Sequence, residues 1–411
     1  MTRSIGIRDI GLLTYITLIF TGGYLAVFAI GSTPIGVLYV ALLLIPIFIW
    51  GSTLSLRIPA GLALSAVGII ACTAVSAIYN DSPLAIVAAS MKVTMLPLLA
   101  LLVGLNLGDL RSWEHCRIPL FVLVLGNALA AGWQVKAGVD GLIEYGYEYG
   151  DTVRIFDGAV RAFGLLPRDN IAAQTMAVVL IFAIWHVSNN KDRRALYVLI
   201  ALSALILIIL SRNRTALLAV ILGIWMVLPR GRVDAGLARF VFAFLAAGSL
   251  AIGVQLSLLG TGNSLIDRLS VWANAVSNVN ALFGGGPGTV GVTAFTTLAG
   301  KLPIENPGDN YFVTTAAQFG LLGFISLGFF IFWLFSISKM TSGPTRSLAV
   351  ALVVFFTVSL VTNNTFEEVP SALFLFLLLG CAISEGRYAN EDCSELPIRE
   401  AVNHWSATLR A

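Results

Sequence analysis

Long apolar runs and short polar breaks alternate along almost the whole chain. The runs lie near 9–30, 34–50, 56–78, 84–106, 118–136, 170–188, 195–210, 214–229, 238–259, 311–338, 346–363 and 369–385. A helix of roughly 17–25 apolar residues crosses about 30 Å of hydrocarbon. It also satisfies its own backbone polar groups, which lipid cannot do. The pattern therefore predicts an all-α integral membrane protein with about 12 transmembrane helices. No stretch reads as a separate soluble domain, so residues 1–411 form a single polytopic membrane domain. Three polar segments exceed a turn in length: a loop at 137–169, a larger one at 260–310, and a tail at 386–411.

Composition strengthens this reading. Of 411 residues, 57% are hydrophobic and only 11% charged, and the mean hydropathy is +0.88. A soluble domain needs a far more charged surface. The first run follows Arg3 and Arg8 and lacks the short apolar core and small-residue cleavage site of a signal peptide, so it reads as a retained helix. A net charge of +3 is too small to imply nucleic acid. Cys72, Cys116, Cys381 and Cys393 have neither metal-ligand spacing nor a disulfide-forming location, and read as small apolar packing residues.

Basic residues near span ends prefer the cytoplasm. With the N-terminus inside, Arg3, Arg8, Arg57, Arg111, Arg117, Lys191, Arg193, Arg194, Arg230, Arg232, Arg239, Lys339, Arg346 and Arg387 all fall on the cytoplasmic side. The tail then returns there too. The basic residues left outside are Lys136, Arg154, Arg161, Arg168, Arg212, Arg214, Arg268 and Lys301. Lys136 can snorkel from a helix end; the rest cluster in the two long loops and in the tight turn Ser211–Arg214. Arg212 and Arg214 either snorkel to lipid phosphates or hold a phosphate or diphosphate with their fork of donors and permanent charge. Several such groups on one side suggest an anionic substrate.

The first loop mixes aromatics, acids, bases and glycine breakers, the residue types of a folded rim and of sugar recognition. In the second, Arg268 and Trp272 are four apart and share one helical face. Gly284–Gly288 is a turn that permits close backbone approach, but it lacks the Gly-Lys-Ser/Thr ending and preceding strand of a nucleotide loop. Lys92 lies inside a span and is expected to face the bundle interior or a wet cavity, or else to snorkel. Glu367 and Glu368 occupy a short outer turn, where they either neutralise an arginine or form a solvated rim. His115, His186 and His404 all map to the cytoplasmic side, so an outer proton acceptor has to be a carboxylate or the substrate itself.

Three stretches together resemble the O-antigen ligase and O-antigen polymerase superfamily. "RAFGLLPRDNIAA" resembles its Arg-x-x-Gly-x5-Asn pattern, matched by Arg161, Gly164 and Asn170. "SRNRTALLAV" resembles its Ser-Arg turn, with Arg212 or Arg214 in the arginine's place. "DRLSVW", "GGGPGTVG" and "DNYFVTTAAQFGLLG" resemble the large outer loop that closes on a His-Asn-x-Tyr motif. The likeness covers roughly residues 80–385. It implies a GT-C-type helical bundle in the bacterial inner membrane, with both termini cytoplasmic. The implied reaction moves a glycan from undecaprenyl diphosphate to an acceptor hydroxyl on the periplasmic face, without metal or cofactor. The implied partners are that lipid-linked oligosaccharide, a glycan or lipid A–core acceptor, and membrane lipids.

By the same resemblance, Arg161, Arg212, Arg214 and Arg268 hold the diphosphate, and Asn170, Asn310, Tyr311 and Trp272 bind substrate; Lys92, as a charge within a span, is a further candidate to bind it. Where the family shows histidine this chain has Asp309, which either accepts the hydroxyl proton or orients the acceptor. That departure favours a surface-polysaccharide polymerase over a ligase. A transporter or lipid flippase is the rival from another class. It is disfavoured because both long loops face out and no internal repeat is visible.

Overall fold

The computed structural model describes residues 7–28, 37–41, 44, 58–107, 110–149, 152–156, 158–189, 194–228, 264–291, 310–363 and 365–386. Its helices are α1 (Ile7–Phe28), α2 (Ala60–Tyr79), α3 (Leu84–Leu107), the short α4 (Arg111–His115), α5 (Arg117–Glu144), α6 (Asp169–Asn189), α7 (Arg194–Leu210), α8 (Arg214–Val227), α9 (Ser264–Ser277), α10 (Tyr311–Lys339), α11 (Thr345–Thr362) and α12 (Val369–Gly386). One small antiparallel hairpin, β1 (Ile155–Phe156) with β2 (Ala159–Val160), interrupts the otherwise helical order.

Six of these helices, α2, α3, α5, α6, α10 and α12, are long and apolar enough to cross a membrane, and α1, α7, α8 and α11 are shorter apolar helices. The protein is a predominantly helical, multi-pass membrane protein. Of the twelve expected spans, 34–50 lies mostly, and 238–259 wholly, outside the described residues.

A helix that is apolar all round has to be surrounded by other helices or by lipid. In this bundle 83% of the apolar stretch of α6 and 89% of that of α12 are buried, against 33% for α2, α5 and α10, so α6 and α12 form the centre. Glycines let helix backbones touch where no hydrophobic force separates protein from lipid. At the α3–α12 crossing, a Cβ on Gly104 would lie 2.3 Å from the Leu377 carbonyl oxygen, and one on Gly380 would lie 2.6 Å from that of Leu101. Helix α2 runs antiparallel to α10: Cys72 Sγ is 3.2 Å from Ser326 Oγ, and Ser76 meets Gln318.

The bundle has two distinct ends. At one, Trp185 Nε1 donates to Pro344 O (2.9 Å), Ser342 Oγ donates to Gly386 O (2.7 Å), and Leu110 N donates to a Glu385 carboxylate oxygen (2.9 Å). At the other end lie Phe28, Tyr79, Glu144, Asp169, Ser211, the 278–291 loop and the 363–368 turn, the segments that also carry the chain's candidate chemistry.

The expected span 118–136 extends further than its apolar run. Gly138 (φ 71°) breaks α5, and the helix then resumes to Glu144, burying Leu142. A residue free of a Cβ absorbs the reversal, so a segment expected to be loop continues as helix.

Candidate functional site

Beyond α5 and the hairpin, residues 161–168 enter the bundle as non-helical backbone, with Ala162, Phe163 and Leu166 fully buried. Backbone groups away from water need partners. Asn127 and Gln134, two turns apart on one face of α5, supply them. Gln134 Oε1 accepts from the amides of Phe163 (3.0 Å) and Gly164 (2.9 Å), while its Nε2 donates to Gly164 O (2.7 Å). Asn127 Oδ1 accepts from Leu165 N at 2.9 Å, and its Nδ2 donates to Phe20 O at 3.2 Å. Gly164 has φ 63°, and a Cβ there would lie 2.8 Å from Asn127 Oδ1, so no other residue fits. On the far side, a Cβ on Gly23 of α1 would strike the backbone of Leu166 and Pro167 at 2.2 Å.

Gln134→Leu strips partners from three buried backbone groups. A loss of about 1–3 kcal/mol is expected, read as a lower thermal unfolding temperature of the purified chain in detergent. Tyr147 packs edge-on against Phe163. Burial, then the neighbouring Tyr24 and Tyr145, push its phenol up to about 12, opposed by a hydrogen bond with Gln134.

This inserted segment presents the charges. Arg161 Nη2 lies 2.8 Å from Asp169 Oδ2, and Arg154 Nη1 lies 4.0 Å from Asp169 Oδ1. The Asp169 side chain is wholly buried, and as the first residue of α6 it stands where the helix dipole favours an anion. Arg161 Nε also donates to Ser211 O (3.3 Å), and Ala162 N donates to Leu210 O (3.1 Å). One residue beyond Asp169, Asn170 Oδ1 accepts from Asn213 Nδ2 at 3.0 Å. Asn213 in turn caps α8 by accepting from Ala216 N. The two segments "RAFGLLPRDN" and "SRNR" are thus bonded at both ends of the first, through Arg161 and Asn170. Arg212 (φ 54°) and Arg214 stand exposed on the rim of this turn.

The second long loop meets the same end of the bundle. It begins with α9, where Arg268 and Trp272 lie one turn apart, and Trp272 is half-buried. The Arg268 side chain lies outside the described residues. The glycine stretch does allow close backbone approach, but its partner is internal. Gly320 (φ 62°) breaks α10, exposing backbone groups there. Gly285 N donates to Ala317 O (2.8 Å) and Gly286 N to Gln318 O (3.1 Å), while Leu321 N donates to Ala281 O (2.9 Å). A Cβ on Gly284 would lie 2.4 Å from Gln318 C. The stretch is a plug set into a helix break.

Gln318 organises what lies beneath the plug. Its Oε1 accepts from Gly288 N (3.1 Å), and its Nε2 donates to Val290 O (2.8 Å) and approaches Glu367 Oε1 (3.4 Å). Glu367 is 5% exposed, which corrects the expectation of a solvated rim. Asn310 Oδ1 accepts from the amides of Phe312 and Val313, capping α10, and Tyr311 is buried and stacked on Phe366. A polar contact joins α12 to α6: Ser371 Oγ lies 3.5 Å from Gln174 Oε1 on α6 and 2.9 Å from Glu368 O.

Of the residues singled out in the sequence, Arg161, Asn170, Arg212 and Arg214 come together in one cluster. Asn310 and Tyr311 stand with Gln318 and Glu367 in the second. Lys92 is exposed on α3, so it does not sit in the packed interior; a wet cavity and snorkelling are the expected places that fit its exposure. Asp309 lies outside the described residues, as do the tail beyond 386 and the stretch 292–309. The sequence pattern did not single out Asp169, Asn127, Gln134 or Gln318. The available signal was an amide or acid inside or bordering an apolar run, which is expensive unless it has a purpose. No known family profile matches the chain, and no characterised protein matches it either.

Proposed function

We propose that this chain is a membrane glycosyltransferase of GT-C-like architecture in the bacterial inner membrane. In this reading it moves a glycan from undecaprenyl diphosphate to an acceptor hydroxyl on the periplasmic face, acting as a surface-polysaccharide polymerase. The observation that carries the reading is the junction of 161–170 with 211–214. Two separate segments that resemble the superfamily's motifs are bonded to each other at the same end of the bundle as the third.

The placement of the helix ends supports about 12 crossings. Phe28 lies at the site end and Ala60 at the opposite end. Val227 likewise lies at the opposite end and Asn278 at the site end. In this reading the expected spans 34–50 and 238–259, which lie mostly or wholly outside the described residues, join the ten apolar helices to make 12, with both termini cytoplasmic.

In this mechanism the acceptor oxygen attacks the anomeric carbon as the carbon–oxygen bond to diphosphate breaks. The departing charge is met by Arg212, Arg214 and Arg268, permanent cations fixed before the reaction begins. Asp309 takes the hydroxyl proton. Asn310, by capping α10, fixes the backbone immediately after that carboxylate. Asn170 and Trp272 border the glycan, and no metal or cofactor is invoked.

A deletion strain is expected to lose the ladder of long surface chains while keeping a single capped repeat. Loss of all capped core would instead make the chain a ligase, and unchanged polysaccharide with lost solute uptake would make it a carrier. Arg212→Ala and Arg214→Ala remove exposed side chains, so stability should hold. Transfer should fall about a hundredfold for each, measured as polymer formed per unit of purified protein.

A further inference from the structure

We propose that Arg154, rather than Arg161, is the cation by which the first outer loop meets a diphosphate, and that Asp169 enforces this division. The inference rests on the reading above for its biological meaning, but not for its geometry. A single carboxylate, Asp169, faces two guanidiniums, so among the described residues the trio carries a net charge of +1 from two arginines and one aspartate.

The two arginines are not equivalent. Arg161 holds Asp169 at 2.8 Å and also donates through Nε to the Ser211 carbonyl, so its fork is turned into the protein. Arg154 reaches Asp169 only at 4.0 Å, beyond hydrogen-bond distance, and its side chain is 31% exposed against 21% for Arg161. Its backbone is fixed by its carbonyl, which accepts from Arg161 N at 2.9 Å, leading directly into the hairpin. The guanidinium of Arg154 thus stands on a fixed backbone beside a carboxylate already taken by another cation.

An arginine carries five N–H donors in a planar fork that matches phosphate oxygens in pairs. An anion with two or more acidic oxygens can engage Arg154 without breaking the Arg161–Asp169 pair. That pair keeps the loop bonded to the Ser211–Arg214 turn, so Arg154, Arg212 and Arg214 belong to one assembly. Asp169 is a positioning residue here: it neutralises Arg161 and leaves the second charge for the ligand.

The test uses the full chain purified in detergent at low salt, with inorganic pyrophosphate as the probe and calorimetry as the readout. Arg154→Ala should unfold at the wild-type temperature and bind pyrophosphate on the order of tenfold more weakly or worse. Arg154→Lys should recover only part of the affinity, because a point charge cannot replace the fork. Asp169→Asn, which removes the competing anion, should bind pyrophosphate more tightly than the wild type, a gain that a purely structural role for Asp169 does not produce.

Wild-type pyrophosphate affinity in Arg154→Ala, or no pyrophosphate binding by the wild type, overturns the proposal. So does a result in which Arg154→Ala weakens only the binding of phosphatidylglycerol vesicles, which would make Arg154 a lipid-headgroup contact. Pyrophosphate binding that depends on Arg154, in a chain whose deletion leaves surface polysaccharide unchanged, would uphold the anion site and remove the glycosyltransferase.

Discussion

Arg161→Ala should destabilise the protein by about 3–5 kcal/mol, because it leaves the wholly buried Asp169 carboxylate without its closest counter-charge. The guanidinium also releases the Ser211 carbonyl, so the contact between the inserted segment and the 211–214 turn loosens as well. Arg154 stands too far off to substitute without moving its hairpin. Asp169→Asn should cost less, since Arg161 is partly exposed and water can reach it. The double variant Arg161→Ala with Asp169→Asn should recover much of the lost stability, because no buried carboxylate is left without a counter-charge and Arg154 is part-exposed to water. The check is thermal unfolding of the four proteins in one detergent, treated as a double-mutant cycle. Additive losses would show that the pair is not the cause. By the resemblance Arg161 holds the diphosphate, but with its partner buried, loss of transfer in this variant would follow from loss of structure as well.

Gly320→Ala should have a comparable effect by a different route. At φ 62° a side chain is strained by about 1–3 kcal/mol. The new Cβ would also lie 2.4 Å from Leu282 C and 2.7 Å from Gly284 N, backbone atoms that cannot step aside. Overpacking adds about 1–3 kcal/mol. The plug 278–291 should detach from the break in α10, and with it the hydrogen bonds of Gln318 to Gly288 and Val290. Gly328 lies on the same helix with open space where its Cβ would be, so Gly328→Ala is the matched control and should be neutral. Equal melting temperatures for the two variants would contradict the insertion of the plug. Limited proteolysis near Phe283 should distinguish a detached loop from a generally unfolded chain.

Much of the fold was legible because lipid imposes one rule on every segment. Ten of the apolar runs read from the sequence carry helices at nearly the expected bounds. Where a bound moved, as at α5, a glycine allowed the helix to break and resume. The site was legible in part. The arginines at 161, 212 and 214 stood out as cations against their orientational preference, and the likeness of their flanking residues singled out Asn170 and Asn310. Their partners did not stand out. Asp169, Gln134 and Gln318 look like ordinary polar residues beside or within apolar runs, and nothing in local spacing connects Gln134 to Gly164 or Gln318 to Gly288.

By itself, the sequence determined that the chain is a multi-pass helical membrane protein and where its unusual cations lie along it. Both are local and additive properties, since hydropathy sums over a run and charge belongs to a residue. Only the tertiary structure decided which arginine is bound to a buried acid, that Glu367 is enclosed, that Lys92 is exposed, and that the glycine turn fills a helix break. Those outcomes depend on which distant segments meet. In a dry interior a polar group must find its partner wherever the fold brings one, and no period along the chain records that meeting.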